Sequence, residues 1–200
     1  MYLLLLSVFL WGALHSLLAS HTAKAIARRR FGPLSDRFYR LAYNLFAVIT
    51  FLPVVALMTR LPDRLLYQLP VPWLYVALLG QALALITLLV GLLQTDLWSF
   101  LGLRQIGALE NGRKESLTVR GLYRWVRHPL YTAGLVFIWL SPVMTRNTLV
   151  VFAALTVYIL IGAYFEERKL LREFGAAYAE YRSRTPMLIP CPRPGRGRQS

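Results

Sequence analysis

Long runs without a charge dominate the chain. Tyr2 to Ala19, Leu41 to Met58 and Trp73 to Leu93 contain no Lys, Arg, Asp or Glu. A membrane-crossing helix needs about 20 mostly apolar residues to span a hydrocarbon core about 30 Å thick. A helix on a soluble protein would carry a charged outer face, but these runs are apolar all round. Only helices and closed barrels satisfy their backbone in lipid, and the period-two alternation of a barrel is absent. The pattern predicts an all-α, polytopic transmembrane helical bundle.

Two shorter apolar runs follow, Leu130 to Met144 and Leu149 to Phe165, separated by Thr145-Arg146-Asn147. At about 1.5 Å per residue each covers roughly 22–26 Å. Extension into both flanks would complete them as spans, with Arg127 and Arg168 snorkelling to the interface. Ser141-Pro142 is expected to kink the first arm near its end. That makes about five membrane segments. The polar stretch from Glu166 onward predicts a C-terminal amphipathic helix, with Leu170, Leu171, Phe174, Tyr178 and Tyr181 on one face. Residues 1–190 read as one integral membrane domain, its catalytic half about 100–190. Residues 191–200, rich in Pro, Gly and Arg, read as a disordered basic tail.

Charge sets the expected orientation. The 200-residue chain carries a formal net charge of +14. On a soluble domain that would suggest nucleic acid; here the positives lie between spans, where orientation and anionic lipid account for them, and no nucleic-acid partner is expected. Lys24, Arg28, Arg29, Arg30 and Arg37 follow the first run, against Asp36. Between the second and third runs stand only Arg60 and Arg64, against Asp63. By the positive-inside rule the N-terminus is outside and the C-terminus cytoplasmic. The first run lacks the positive flank of a signal peptide, so an uncleaved first span is expected. Cys191 is the only cysteine, which excludes an intrachain disulfide or a Cys-based metal centre; no metal site is expected.

Two polar clusters bracket the apolar hairpin, Arg127-His128-Pro129-Leu130-Tyr131 and Glu166-Glu167-Arg168-Lys169. A hairpin that crosses and returns brings both to one face. His128 precedes a proline and is biased away from helix, while Pro129 suits a first helical turn. Tyr131, three residues on, can approach the histidine. Gly134 offers a place for close backbone approach. A carboxylate at Glu166 or Glu167, where the second arm leaves the membrane, can accept two ribose hydroxyls or pair with an ammonium. The alternative is ordinary interfacial anchoring and helix-surface charge pairing. Near the same face, His15 has an unperturbed pKa close to neutrality and Asn44 could hydrogen-bond it; a structural interhelical bond is the alternative role.

Gly121-Leu122-Tyr123, Arg127-His128-Pro129-Leu130-Tyr131, Gly134, Glu166-Glu167, Leu170, Phe174-Gly175, Tyr178, Tyr181 and Pro186 together resemble a family of integral membrane methyltransferases. That family includes isoprenylcysteine carboxyl methyltransferase, the phospholipid methyltransferases and the methanethiol S-methyltransferases. Leu14-His15-Ser16, Arg37-Phe38-Tyr39-Arg40 and Gly102-Leu103-Arg104-Gln105 resemble the methanethiol S-methyltransferase branch and its nitrite-reductase-associated relatives. The resemblance implies S-adenosylmethionine as cofactor. It is held by Glu115, Ser116, Leu117, Thr118 and Tyr123 before the hairpin, by His128, Pro129, Leu130 and Tyr131 at its start, and by Glu166 at its exit. Glu115 stands where the prenyl branch has a histidine. Gly162 stands where that branch has a substrate-binding arginine, so a carboxylate acceptor would lack its cation.

A small thiol is therefore the expected acceptor, turned over to a thioether. The thiolate is the nucleophile, which makes His15 the candidate catalytic base. Two other readings stay open: methylation of a lipid amine or of an isoprenylcysteine carboxylate, and a non-catalytic nitrite-reductase-associated membrane protein. Expected partners are a small-molecule substrate and membrane lipids, in a bacterial inner membrane. The sequence does not give the oligomeric state.

Overall fold

The computed structural model describes residues 1–95 and 117–191. Within them are seven α-helices: α1 (Tyr2–Ala19), α2 (His21–Phe31), α3 (Pro33–Arg60), α4 (Val71–Gln94), α5 (Pro129–Trp139), α6 (Arg146–Phe174) and α7 (Ala176–Arg184). Helices α1, α3, α4 and α6 are long and apolar enough to cross a membrane, and α5 is a shorter apolar helix. The chain is an integral membrane protein of helical build. Leu, Ile, Val and Phe cover the outer faces, with Phe9, Leu17, Val48, Leu79 and Ile161 all more than half exposed. In water such surfaces would be costly; in lipid they are the solvated state.

The runs grow at their ends. Pro33 occupies the first turn of α3, and an intact helix continues through Pro53. At about 1.5 Å per residue, α3 with 28 residues and α6 with 29 are each more than 40 Å long. Helix α6 therefore reaches well past the apolar region and carries Glu166 and Glu167 on its extension.

Small residues set the packing. A Cβ at Gly91 would lie 2.7 Å from Leu130, and one at Gly80 would lie 2.5 Å from Leu140, so α4 and α5 pack with the chain directions opposed. Ala77, Ala84 and Gly91 recur every seven residues as the buried positions of α4. This is the close contact that membrane helices use where lipid removes the hydrophobic drive. Gly134, expected to serve this purpose, does not: a Cβ there would meet nothing within 4 Å.

The far end of the hairpin departs from expectation. Helix α5 stops at Trp139 and is not kinked by Pro142. Its 11 residues cover only about 16 Å, so the first arm is not extended as helix through its flanks. Val143–Thr145 (β2) instead pairs antiparallel with Leu65–Gln68 (β1), in a two-stranded ribbon with a bulge between Leu65 and Tyr67. Leu69 donates to the Pro142 carbonyl at 2.9 Å, and Arg146 donates to the Arg64 carbonyl at 2.9 Å. Asn147, 2% exposed, closes this end. Its amide Nδ2 donates to the carbonyls of Met58, Leu61 and Pro62 at 3.2–3.5 Å, and its backbone N–H donates to Asp63 at 2.9 Å. Just inside, Leu4, Val8, Val54 and Val151 form the apolar core between α1, α3 and α6.

The predicted single amphipathic helix is also two pieces. Helix α6 runs unbroken to Phe174, and Gly175 then takes φ +53, a left-handed cap that favours glycine. Helix α7 folds back from there.

Candidate active site

Opposite the ribbon, the start of α5, the exit of α6 and helix α7 converge. Chain entry is fixed by Gly121, which has φ +60 and whose Cβ would lie 2.5 Å from the Gln94 amide. Gln94, the last residue of α4, accepts the Leu122 N–H at 3.0 Å. Gly121–Arg124 then form one 3₁₀ turn. His128 is the N-cap of α5 with φ −124 and ψ 66, and Pro129 follows at the first helical position, as the dipeptide predicts.

Arg127 does not snorkel. It is 8% exposed, and its Nε donates to Oε1 of Glu167 at 2.6 Å. A second guanidinium nitrogen, Nη2, lies 2.5 Å from the same oxygen. Nη1 donates to the carbonyls of Arg182, at 3.1 Å, and of Thr185. Arg182 reaches the other Glu167 oxygen at 3.4 Å. One buried carboxylate thus receives two guanidinium groups, and buried charges persist only when paired in this way. The backbone N–H groups of Arg127 and His128 donate to Pro186 and Met187 at 2.9 and 3.1 Å, and Thr132 donates to Leu188 at 2.8 Å.

Glu166 is differently placed. Consecutive helical residues point about 100° apart, so Glu167 faces inward while the Glu166 side chain stays 42% exposed. Tyr131 donates to its Oε2 at 2.7 Å. His128 Nδ1 lies 3.7 Å from that oxygen. The His128 and Tyr131 rings stack at 5.3 Å, with 14° between their planes. His128 Nε2 is buried without a hydrogen-bond partner among the described residues; Glu167 Oε1 lies 3.4 Å away, outside bonding geometry. Tyr123 lies within electrostatic range of Glu166, and burial followed by that negative charge pushes its phenol up. The Tyr123 carbonyl accepts the Tyr181 hydroxyl at 2.6 Å, which ties α7 to the 3₁₀ turn. Burial, with Glu167 adding to it, pushes the Tyr178 phenol up to about 12, so it stays neutral beside the ion pair.

Of the residues expected from sequence, Tyr123, His128, Pro129, Tyr131 and Glu166 come together here. Leu130 turns to α4 and packs on Gly91. Leu117 and Thr118 are half-buried in irregular chain leading to the 3₁₀ turn. Glu115 and Ser116 lie outside the described residues. Sequence reasoning missed Glu167, Arg127 and Arg182 as the frame of the site. The signal available was the Glu-Glu pair itself, since adjacent helical side chains point about 100° apart.

His15 sits deeper, between α1, α3 and α6. Its Nε2 lies 2.5 Å from the Tyr43 hydroxyl, so the neighbour of the expected Asn44 makes this contact. Trp11 stacks on the His15 ring at 5.2 Å. Tyr158 crosses α1 where Gly12 makes room, its ring 3.0 Å from where a Cβ would stand, and its hydroxyl lies 3.2 Å from Ser16. Tyr43 and Tyr158 both lie within electrostatic range of Tyr131, so this aromatic group adjoins the Glu166 cluster.

The residues fit a ligand with hydroxyls, a positive charge and a flat ring. Glu166 has one oxygen bonded by Tyr131 and a half-exposed carboxylate to offer, with a stacked aromatic pair beside it. The family model described as NnrU protein matches residues 3–191. Among curated relatives, methanethiol S-methyltransferase 2 of Bradyrhizobium diazoefficiens is 43% identical over 98 residues, 48% of this chain and 38% of that protein. Methanethiol S-methyltransferase of Mycobacterium tuberculosis is 36% identical over 109 residues, 53% of this chain and 45% of that protein. That of Crocosphaera subtropica is 34% identical over 129 residues, 59% and 50% of the two chains. The chain thus spans half or less of the length of these relatives. No solved structure matches it.

Proposed function

The chain belongs to the NnrU protein family, and from that premise we propose that it is an S-adenosylmethionine-dependent integral membrane methyltransferase acting on a small thiol. The observation that carries this reading is the pairing of Tyr131 with a half-exposed Glu166 beside the His128 ring. The names of the relatives agree with it. When bound, S-adenosylmethionine supplies an electrophilic methyl group on a sulfonium.

The chain's own residues bind, orient and exclude water. Glu166 accepts hydroxyls or an ammonium, and Tyr131 holds its carboxylate in place. His128 and Tyr131 present ring edges. Glu115, Ser116, Leu117, Thr118 and Tyr123 complete the cofactor side, while Pro129 and Leu130 fix the start of α5 against α4. His15 supplies the basic nitrogen on the acceptor side. In-line placement in a dry pocket contributes most to such a displacement. Gly162 adds no cation one turn before Glu166, which favours a neutral thiol over a carboxylate.

The test is labelled methyl transfer in membranes containing the full chain, with methanethiol, a lipid amine and a prenylcysteine offered in parallel. Volatile dimethyl thioether is the expected product. Methyl ester from the prenylcysteine would overturn the substrate assignment. A lack of cofactor binding would favour a non-catalytic member of the family. The positive-inside pattern supports a Glu166 face on the cytoplasmic side, and the reading is of a bacterial inner membrane. Reporter fusions after Arg64 and after Tyr181 are expected on opposite sides, and a shared side would remove that orientation.

A further inference from the structure

His15 is poorly placed to touch an acceptor itself. Among the described residues its buried Nδ1 has no hydrogen-bond partner, and its Nε2 is covered by the Tyr43 hydroxyl at 2.5 Å. Trp11 closes one face of the ring. Tyr43 and Tyr158 both lie toward Tyr131 and both touch the His15 ring, but of the two it is Tyr43 that hydrogen-bonds His15 among the described residues. Its oxygen contacts His15, and it lies within electrostatic range of Tyr131, which holds Glu166. A phenol is a stronger acid than a neutral imidazole N–H, which favours the hydroxyl as donor and Nε2 as acceptor; the tautomer of His15 decides it.

We propose that Tyr43 is the catalytic residue that meets the acceptor thiol, with His15 behind it as the proton store. The inference rests on the thiol reading above. As the acceptor's S–H bond breaks, its proton passes to the Tyr43 oxygen. The Tyr43 proton passes at the same time to Nε2 of His15. The sulfur lone pair so released bonds the methyl carbon as the sulfonium donor's own C–S bond breaks, its electron pair staying on the departing sulfur. His15 is left as imidazolium, carrying the positive charge that the sulfonium gave up, and later returns the proton to solvent. Tyr158, seated by Gly12 and Ser16, packs edge-on against the same His15 ring and is given no part in the transfer.

The test uses the full chain in lipid nanodiscs. The chain has only three histidines, His15, His21 and His128, so ¹⁵N-histidine labelling resolves His15 by comparison with His15→Gln. Without cofactor, the wild type is expected to show His15 protonated at Nδ1 with Nε2 as acceptor, and Tyr43→Phe is expected to shift that Nε2 signal. With S-adenosylmethionine and ethanethiol, Tyr43→Phe should lower turnover about 100-fold, within the range of general-base loss, while cofactor affinity changes less than about twofold. Tyr75→Phe, at an exposed position on α4, serves as the control. A wild-type rate in Tyr43→Phe, or a wild-type His15 protonated at Nε2, overturns the proposal. Absence of thiol methylation by the wild type sinks the thiol reading instead, and the role of Tyr43 with it; the nitrogen spectrum then separately reports the hydrogen bond's direction.

Discussion

The two ends of the bundle are both closed by a buried polar residue, and they are closed differently. At the ribbon end Asn147 is neutral, and its amide is aimed at backbone carbonyls in and just beyond the last turn of α3. At the other end the buried residue is the carboxylate of Glu167, held by Arg127 and Arg182. Beside it stands a second carboxylate, Glu166, 42% exposed and bonded at one oxygen. The same helix, α6, supplies Asn147 and both glutamates. A rigid rod closed at one end by neutral backbone bonds can hold a charged, partly unsatisfied site at the other.

Changes at the two ends should therefore read out differently. The largest effect is expected from Glu167→Ala, which strands the buried Arg127 guanidinium. Removing one partner of a buried pair costs about 3–5 kcal/mol, and thermal unfolding in detergent should show it. A loss no larger than that of the exposed Glu180→Ala would mean that the ion pair is solvated and the contrast between the ends false.

Next is Glu166→Ala, with little change in stability but weaker S-adenosylmethionine binding. Loss of a charge-assisted hydrogen bond is worth about 1.5–3 kcal/mol, or roughly 10–150-fold in affinity. Calorimetric titration against Glu180→Ala decides it; equal and negligible effects would reduce Glu166 to an interfacial anchor. Asn147→Ala should cost about 1–3 kcal/mol by leaving buried carbonyls unpaired, and it should leave cofactor affinity unchanged. A fall in affinity there would show that the ends are coupled.

The smallest effect concerns acid. Asp63 is desolvated to a degree that opposes ionisation, but bonds from Thr145 and from the N–H groups of Asn147 and Arg64, with the Arg146 charge, hold its carboxyl below the ordinary 3.8. A lowered folded value means that the contribution is complete above about pH 3.8 and fades as pH falls through the lower value. Asp63→Asn should lose that acid-side slope while stability near neutrality barely moves. An unchanged slope would remove Asp63 from the lock.

The long spans were legible because lipid imposes a one-dimensional rule on sequence, and Tyr2–Ala19 was read to the residue. The His128-Pro129 start of α5 was legible for local reasons, since proline fixes its own φ and restricts its neighbour. The ribbon was not. Val143–Thr145 is apolar and reads as more span, and only its partner Leu65–Gln68, far away in sequence, makes it a strand. Both glutamates were legible as carboxylates at the exit of the hairpin, but that Glu166 stays half-exposed while Glu167 is buried depends on the rotation of α6 against α7. The break at Gly175 was visible as a glycine, yet the apolar spacing ran straight across it. Tyr43 was passed over for Asn44 because helix phase cannot be set from one interhelical contact.

The hydrogen bonds from Arg127, His128 and Thr132 to Pro186, Met187 and Leu188 have a consequence for biosynthesis. Thr132 and Leu188 are separated by 56 positions. Translation proceeds at roughly 5–20 residues per second, so about 3–11 s pass between the making of the two. During that interval the first turn of α5 lacks these partners: two N–H groups and a guanidinium wait for carbonyls that do not yet exist. The site is thus completed only after α6 and α7 have been made, later than every helix it joins.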